Sequence, residues 1–194
     1  MKRGILAALT LALSLTGASA GAATLAFATP ATDPAISDLF TVDIVAAGLG
    51  NGVAPSVGAY DFDIAFDAGL IQFIDAVPGG ELGDPNGMPP TTFFSQNAAG
   101  GVLDIFEVSF LAPAALDAAQ GDTVVLATLT FQAIAAGTTA LSFDQALLSD
   151  ALGNDLMPTV MGASLTIPAI PEPSAALIFG TALWIAARYG RRSR

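Results

Sequence analysis

The segment Tyr60-Asp61-Phe62-Asp63-Ile64-Ala65-Phe66-Asp67 alternates between two kinds of side chain. Its aromatic residues and its isoleucine stand at even positions, and its three carboxylates stand at odd positions. Successive side chains of a β-strand point to opposite faces, so the apolar residues share one face and the aspartates share the other. On a helix the same residues would scatter around the axis. The segment therefore predicts a half-buried strand in an antiparallel sheet.

Further segments of this kind follow along the chain, separated by turns rich in Gly, Pro, Asn and Asp. The other predicted strands cover residues 24–29, 40–46, 70–77, 103–111, 123–134, 138–143, 146–148 and 160–167. No amphipathic helix of about fifteen residues lies between them, which disfavours a βαβ fold. The predicted fold class is therefore all-β, an antiparallel two-sheet sandwich of eight or nine strands.

Several details of this sandwich follow from local patterns. The apolar parity shifts within residues 103–111, which predicts a β-bulge. Residues 81–101 are predicted to form a long loop, whose Phe93 and Phe94 either plug the edge of the core or form an exposed contact. Residues 113–120 are rich in Ala and predict one or two helical turns. Strand 123–134 is expected to pair with strand 138–143 through the turn 135–137. One side of strand 123–134 is predicted to carry Val125, Ala127, Leu129, Phe131 and Ala133.

Charge is distributed very unevenly along the 194 residues. All six basic residues lie outside residues 4–187, whereas sixteen of the seventeen acidic residues lie between Gly21 and Ile170. Such a surface repels phosphate backbones, so nucleic-acid binding is excluded. The chain also lacks His and Cys, which disfavours zinc, copper and iron sites and the usual activated nucleophiles.

The same residues give little support to an enzyme. Asp61 and Asp63 share a strand face, and a carboxylate pair can hydrolyse a glycosidic bond. Acidic residues are so abundant that such a pair arises by chance, and Tyr60 is the only Tyr or Trp of the central domain. We therefore expect no catalytic activity and no catalytic residues.

Calcium is the one cofactor that the side chains could hold, because it prefers carboxylate and carbonyl oxygens. Three aspartates of one predicted strand face could converge with residues of a late turn. The candidate ligands are Asp61, Asp63, Asp67, Asp150, Asn154 and Asp155. The alternative is that the aspartates line a solvated sheet face and that residues 150–155 form only a turn.

The N-terminus has the three parts of a secretory signal peptide. Met1-Lys2-Arg3 is a basic segment, residues 5–15 are apolar, and Ala18-Ser19-Ala20 is a small-residue cleavage site. Residues 1–20 are therefore predicted to be a signal peptide with cleavage after Ala20, and cleavage after Ala23 is an alternative because the small residues continue. The alternative is an N-terminal membrane anchor. Because of this N-terminal signal, the protein is expected to be exported.

The C-terminus carries Pro171-Glu172-Pro173, then an apolar stretch over residues 174–187, then a basic cluster. The cluster consists of Arg188, Arg191, Arg192 and Arg194. The apolar stretch is shorter than the roughly 20 residues of a membrane span, and this length alone is more typical of a core helix. Its place at the chain end and the basic cluster beyond it favour a transmembrane helix with a cytoplasmic end.

These three parts in this order resemble the PEP-CTERM sorting signal of Gram-negative bacteria. The resemblance implies a sorting tail over residues 169–194 with a transmembrane segment at 174–187. It also implies processing near residues 171–173 by an exosortase-type membrane enzyme. The protein would then be tethered to the inner membrane before it reaches the cell surface or an extracellular matrix, with a link to exopolysaccharide.

The central domain, residues 21–168, resembles cohesin-like domains over most of residues 24–167. Four segments carry the resemblance, in the order expected for that family: residues 57–67, Leu126-Ala127-Thr128-Leu129-Thr130-Phe131, residues 137–143 and Asp150-Ala151-Leu152-Gly153-Asn154. The resemblance implies a nine-stranded jelly roll that makes protein–protein contacts. Carbohydrate binding, as in sugar-binding modules of related fold, is the alternative function.

Overall fold

The computed structural model describes residues 23–169, which form ten strands and one short helix in that part of the chain. The elements are β1 (Thr24–Ala28), β2 (Leu39–Ala47), β3 (Val57–Ala65), β4 (Ile71–Pro78), β5 (Thr92–Ala99), β6 (Val102–Ser109), α1 (Pro113–Ala119), β7 (Thr123–Ala133), β8 (Gly137–Asp150), β9 (Thr159–Met161) and β10 (Ala163–Ile167). The predicted signal peptide and sorting tail lie outside the described residues.

Two five-stranded sheets pack face to face. The first sheet has the order β4-β7-β2-β1-β9, and the second has the order β10-β8-β3-β6-β5. Neighbouring strands are antiparallel, except that β1 and β9 are parallel. The predicted all-β, antiparallel-dominated sandwich is confirmed. Between residues 23 and 169 no helix is long and apolar enough to cross a bilayer, and the predicted C-terminal helix lies beyond that range.

The core forms where the alternating strands turn their apolar faces toward each other. Tyr60, Phe62 and Ile64 of β3 are buried as predicted, while the aspartates between them face outward. Phe131 of β7 packs against three aromatic rings, with centroid distances between 5.4 and 5.8 Å. Those rings belong to Phe40, Phe66 and Phe73. Burial of each large apolar side chain contributes about 1.5–3 kcal/mol to the free energy of folding, so this cluster is a major part of the driving force.

The predicted loop 81–101 is wrong in its second half, because residues 92–99 form the edge strand β5. β5 pairs with β6 over its whole length and has no other strand partner in the second sheet. Most of its side chains are exposed, so the sequence lacks the apolar alternation of a half-buried strand. Pairing with β6 determines its conformation, which a local pattern does not record.

The bulge predicted in residues 103–111 is also wrong. β6 pairs with β3 and with β5 without a break in register. The inward positions are Leu103, Ile105 and Glu107, all of them buried. The apparent shift of parity arises because a glutamate occupies an inward position while Phe106 and Val108 face outward.

A bulge lies instead in β7, where the prediction had a regular strand. Ile44 of β2 is opposite Ala127, but Val45 is opposite Val125, so Leu126 is the extra residue. Val124 and Leu126 are therefore buried, and Val125, predicted to share a side with Ala127, is only half-buried. The prediction that the other four residues share one side is confirmed, because all four are buried: Ala127, Leu129, Phe131 and Ala133.

The strands after β7 differ from the prediction in their pairing. β8 does not pair with β7 but crosses to the second sheet, where it lies between β3 and β10. The predicted strands 138–143 and 146–148 form this one strand, with an irregular register near Phe143. The predicted strand 160–167 is divided at Gly162 into β9 and β10, which belong to different sheets.

The edges of the two sheets meet at β4 and β5. The Gln96 side chain spans this gap, because its Oε1 accepts a hydrogen bond from the Ala76 amide at 2.7 Å. Its Nε2 donates to Oδ1 of Asp75 at 2.8 Å. One side chain of β5 therefore satisfies two polar groups of β4 and ties β5 to the first sheet.

Replacing Gly79 by Ala is expected to lower the free energy of unfolding by about 2 kcal/mol or more. An added Cβ would overlap the backbone carbonyl of Val125, which has no room to move inside the sheet. Gly121→Ala is the matched control, because its Cβ would meet no atom closer than 3.7 Å. Urea denaturation of the two variants checks the prediction, and equal midpoints would contradict it.

Candidate functional site

The outward surface of β8, β3, β6 and β5 is a broad sheet face with an acidic centre, here called the outer face of the second sheet. In the strand register Asp63 is opposite Asp104, and Asp61 is opposite Phe106. Leu147 of β8 is opposite Asp61 on the other side. Directly opposite side chains have Cβ atoms about 4.5–5.5 Å apart, so Asp63 and Asp104 are adjacent. Asp61 lies two residues before Asp63 on the same strand face, so the three carboxylates form one cluster.

Electrostatic repulsion within this cluster affects Asp61. Burial raises the pKa of Asp61, and the neighbouring carboxylates of Asp104 and Asp63 raise it further. No Lys or Arg occurs between residues 4 and 187 to offset the repulsion. The centre of the face is therefore a site of concentrated negative potential, to which a cationic group from outside would be attracted.

Apolar side chains surround this acidic centre. Phe93 of β5 is 54% exposed and Leu147 is 51% exposed. The Phe93 ring lies against Phe106, with centroids 6.3 Å apart. Exposed apolar groups next to polar ones are typical of surfaces that bind another molecule. The face thus combines apolar contact area with negative charge.

The sequence left open whether Phe93 and Phe94 plug the edge of the core or form an exposed contact, and each residue does one of the two. Phe94 packs partly buried against the core, whereas Phe93 belongs to the outer face. The sequence prediction missed Phe93, Phe106 and Leu147 as members of one surface. The alternation of side chains along β6 could have predicted that Phe106 faces outward. It would have done so only if Glu107 had been assigned to the inward face.

The six candidate calcium ligands do not converge. Asp61 and Asp63 lie within β3, and Asp67 follows its C-terminal end. Asp150 is opposite Val57 at the other end of the strand. A nine-residue strand spans about 26 Å from end to end, so Asp67 and Asp150 cannot bind one ion.

The turn after β8 uses its carboxylates for local hydrogen bonds. Oδ1 of Asp150 accepts from the amides of Leu152 and Asn154, each at 2.8 Å. Burial works against ionisation of Asp150, but the hydrogen bonds from Asn154, Leu152 and Gly153 outweigh it and lower the pKa. Asp155 likewise accepts from the Met157 amide at 2.8 Å.

Across residues 23–169 no three acidic side chains are grouped so as to hold a metal ion. The geometry of Asp150, Asn154 and Asp155 is that of a hydrogen-bonded turn, the alternative given for these residues. Calcium binding stays a prediction for which the described part of the chain offers no ligand set.

Comparison with protein families identifies one match, to the model described as "Cohesin domain", over residues 31–168. A search of curated proteins gives no match. Among solved structures, the sixth cohesin of Acetivibrio cellulolyticus scaffoldin B, in complex with the Cel5 dockerin, is similar with a TM-score of 0.61 and 14% identity. That alignment covers 76% of this chain and 100% of the other.

Two further structures have the same fold. The cohesin of the Coh-OlpA–Doc918 complex from Clostridium thermocellum has a TM-score of 0.61 and 15% identity, with 76% of this chain and 100% of the other covered. The non-cellulosomal cohesin of the archaeon Archaeoglobus fulgidus has a TM-score of 0.58 and 12% identity, covering 78% and 95%. At such identities these likenesses establish the fold alone.

The Asp104→Asn variant is expected to lower the pKa of Asp61, because it removes a like charge from the neighbouring strand. Titration of the Asp61 carboxyl by NMR measures the change. Asp33→Asn, an exposed substitution between β1 and β2, is the control and should leave the Asp61 titration unaltered. An unchanged Asp61 pKa in Asp104→Asn would show that the carboxylates do not interact.

Proposed function

This chain belongs to the cohesin domain family, and from that premise we propose that it is a non-catalytic module that binds a dockerin-type protein. The outer face of the second sheet is the proposed contact surface. Two of the similar cohesins were solved with dockerins, which supports this class of partner. The observation that carries the choice of surface is the exposed apolar side chains around the cluster of Asp61, Asp63 and Asp104.

The chemistry of this face defines what the partner must present. Apolar or aromatic side chains of the partner would cover Phe93, Phe106 and Leu147, which would remove apolar area from water. Lys or Arg side chains would lie over the carboxylate cluster, where they relieve the repulsion between Asp61 and its neighbours. A dockerin with an acidic contact surface would be rejected by the same cluster.

The Phe93→Ala variant is expected to weaken dockerin binding at least tenfold, since truncation of a hot-spot aromatic contact typically costs about 2 kcal/mol or more. Asp61→Lys should weaken binding of a basic partner by a similar factor and reduce its salt dependence. Isothermal titration calorimetry against dockerin modules from the same organism measures both effects.

Two control variants, one matched to each substitution, lie away from the outer face of the second sheet. Leu39 of β2 is 64% exposed on the first sheet, so Leu39→Ala should leave affinity unchanged. Asp33→Lys introduces the same change of charge away from the face. Equal losses in the controls, or dockerin binding that is insensitive to Phe93→Ala and Asp61→Lys, would contradict the proposed surface.

Carbohydrate binding is the second candidate, favoured by a groove of about 550 Å³ beside the same face. The aromatic residues Phe93, Phe94 and Phe110 line it together with Asn86, and Phe110 is 62% exposed. Exposed rings with a few polar groups are typical of small-ligand grooves. Calorimetric binding of exopolysaccharide without any dockerin binding would support this candidate instead.

We further propose that the domain is exported by the signal peptide at residues 1–20 and anchored by the tail at residues 169–194. The proposal rests on the sequence, since both segments lie outside the described residues. An exosortase-type enzyme is the proposed partner of Pro171-Glu172-Pro173. The final location would be the cell surface or the extracellular matrix.

Deletion of residues 171–173 is expected to leave the protein in the inner-membrane fraction, because the sorting enzyme would no longer process it. Cell fractionation with immunoblotting measures the location. Pro168→Ala, a substitution just before the motif, is the control and should be distributed as the wild type is. A deletion variant that still reaches the normal destination would argue against the sorting role.

A further inference from the structure

Glu107 is a charged residue type inside the hydrophobic core. It occupies an inward position of β6 and is 0% exposed. In the strand register it is opposite Tyr60 on one side and Phe94 on the other. Its Oε2 atom is buried without a hydrogen-bond partner. A buried ionised carboxylate is costly unless it is paired with a cation or well hydrogen-bonded.

Few hydrogen-bond donors lie near Glu107, and each of them also has a backbone carbonyl as a possible acceptor. The Thr92 hydroxyl lies 3.0 Å from Oε1 of Glu107 and 2.8 Å from the carbonyl of Val108. A hydroxyl has one hydrogen, so Thr92 can donate to only one of these acceptors. The Tyr60 hydroxyl has the same limit, and it donates to the Leu126 carbonyl at 3.2 Å. Backbone carbonyls therefore compete for both hydrogens that a Glu107 carboxylate would need.

A protonated Glu107 resolves this shortage of donors. A carboxylic acid can donate its own hydrogen to the Thr92 oxygen, and Thr92 then donates to Val108. Every hydrogen in that chain has one acceptor. The arrangement needs no cation, and the sequence between residues 4 and 187 provides none.

We propose that the contact between Glu107 and the edge strand β5 depends on the protonation of Glu107. The protonated carboxyl holds β5 to the core through Thr92, and loss of the proton loosens β5. Thr92 is the first residue of β5, and β5 has β6 as its only strand neighbour in the second sheet. An ionised Glu107 would require water or a displaced Thr92, and either would disturb the start of this strand.

The surroundings of Glu107 act on its pKa in opposite directions, and burial, the largest influence, raises it. Burial raises its pKa, hydrogen bonds from Thr92 and Tyr60 lower it, and the charge of Glu81, before β5, raises it. Tyr60, on β3, has its own pKa raised by burial and by Glu107, so it stays neutral. On β5 the hydroxyl of Thr92 hydrogen-bonds Glu107 and Phe94 lies opposite it, and neither side chain titrates near neutral pH.

The sign of the pH dependence follows from this raised pKa. Below the pKa of Glu in the unfolded chain both states are protonated, and the stabilisation is fully present. As pH rises further, the unfolded chain releases its proton first, so stability falls until the folded pKa is reached. Within that window the folding equilibrium constant drops up to tenfold per pH unit.

The test is chemical denaturation of the full-length chain from pH 4.5 to 8.5. Wild type should lose stability as pH rises, and Glu107→Gln should lose most of that slope, because glutamine donates to Thr92 at every pH. Asp33→Asn removes one exposed negative charge away from Glu107 and from the outer face, and it is the control for general repulsion, so it should keep the slope. Equal slopes in wild type and Glu107→Gln would overturn the proposal.

Two measurements on wild type do not depend on how the variant folds. The carboxyl ¹³C shift of Glu107 should still be that of a protonated acid at a pH where the exposed carboxyls of the domain are ionised, whereas an ionised shift at that pH would overturn the proposal. Hydrogen exchange of the β5 amides should accelerate with pH by more than the tenfold per unit expected from base catalysis. A β5 that gains no extra exchange would show that ionisation does not loosen the strand.

Discussion

The absence of Lys and Arg from residues 4–187 is the constraint on which the rest of the structure depends. Every carboxylate of the sandwich must be stabilised by water, by hydroxyls, or by amides of the backbone and of Asn and Gln side chains. Asp150 accepts two backbone amides, and Asp43 accepts from the Thr128 hydroxyl at 2.7 Å. Where such donors are lacking, as at Glu107, the carboxyl is stabilised by keeping its proton. The same constraint leaves the carboxylates of the outer face available to a cationic partner.

The sequence predicted the fold wherever one strand carries its own pattern. The alternation in β3 placed Phe62 and Asp61 on opposite faces because side-chain direction depends only on local geometry. Strand pairing was harder. β5 is held by β6 rather than by its own composition, and β8 crosses to the other sheet after a turn that resembles a hairpin. In β7 the bulge at Leu126 lies within a run of apolar residues, so either register has the same pattern.

The site was predictable in part for the same reason. Parity alone placed Asp61 and Asp63 together on an outward face, and the family resemblance predicted a protein-binding module. Their expected convergence with Asp150 depended on the register of β3 with β8, which aligns Asp150 with Val57 and carries it to the far end. The apolar part of the outer face was not predicted, because a glutamate at the inward position 107 interrupts the apolar alternation of β6. A polar residue at an inward position looks like a bulge when sequence is the only guide.

The outer face and the buried acid are two sides of the same pair of strands. In β6, Phe106 points to solvent and the next residue, Glu107, points into the core. In β5, Phe93 is exposed and the preceding Thr92 is buried beside Glu107. Because neighbouring residues of a strand face opposite ways, a side chain can be changed on one surface while the other keeps its contacts. The contact chemistry of the face and the protonation chemistry of the core can therefore be separated residue by residue, although both depend on how firmly β5 is held to β6.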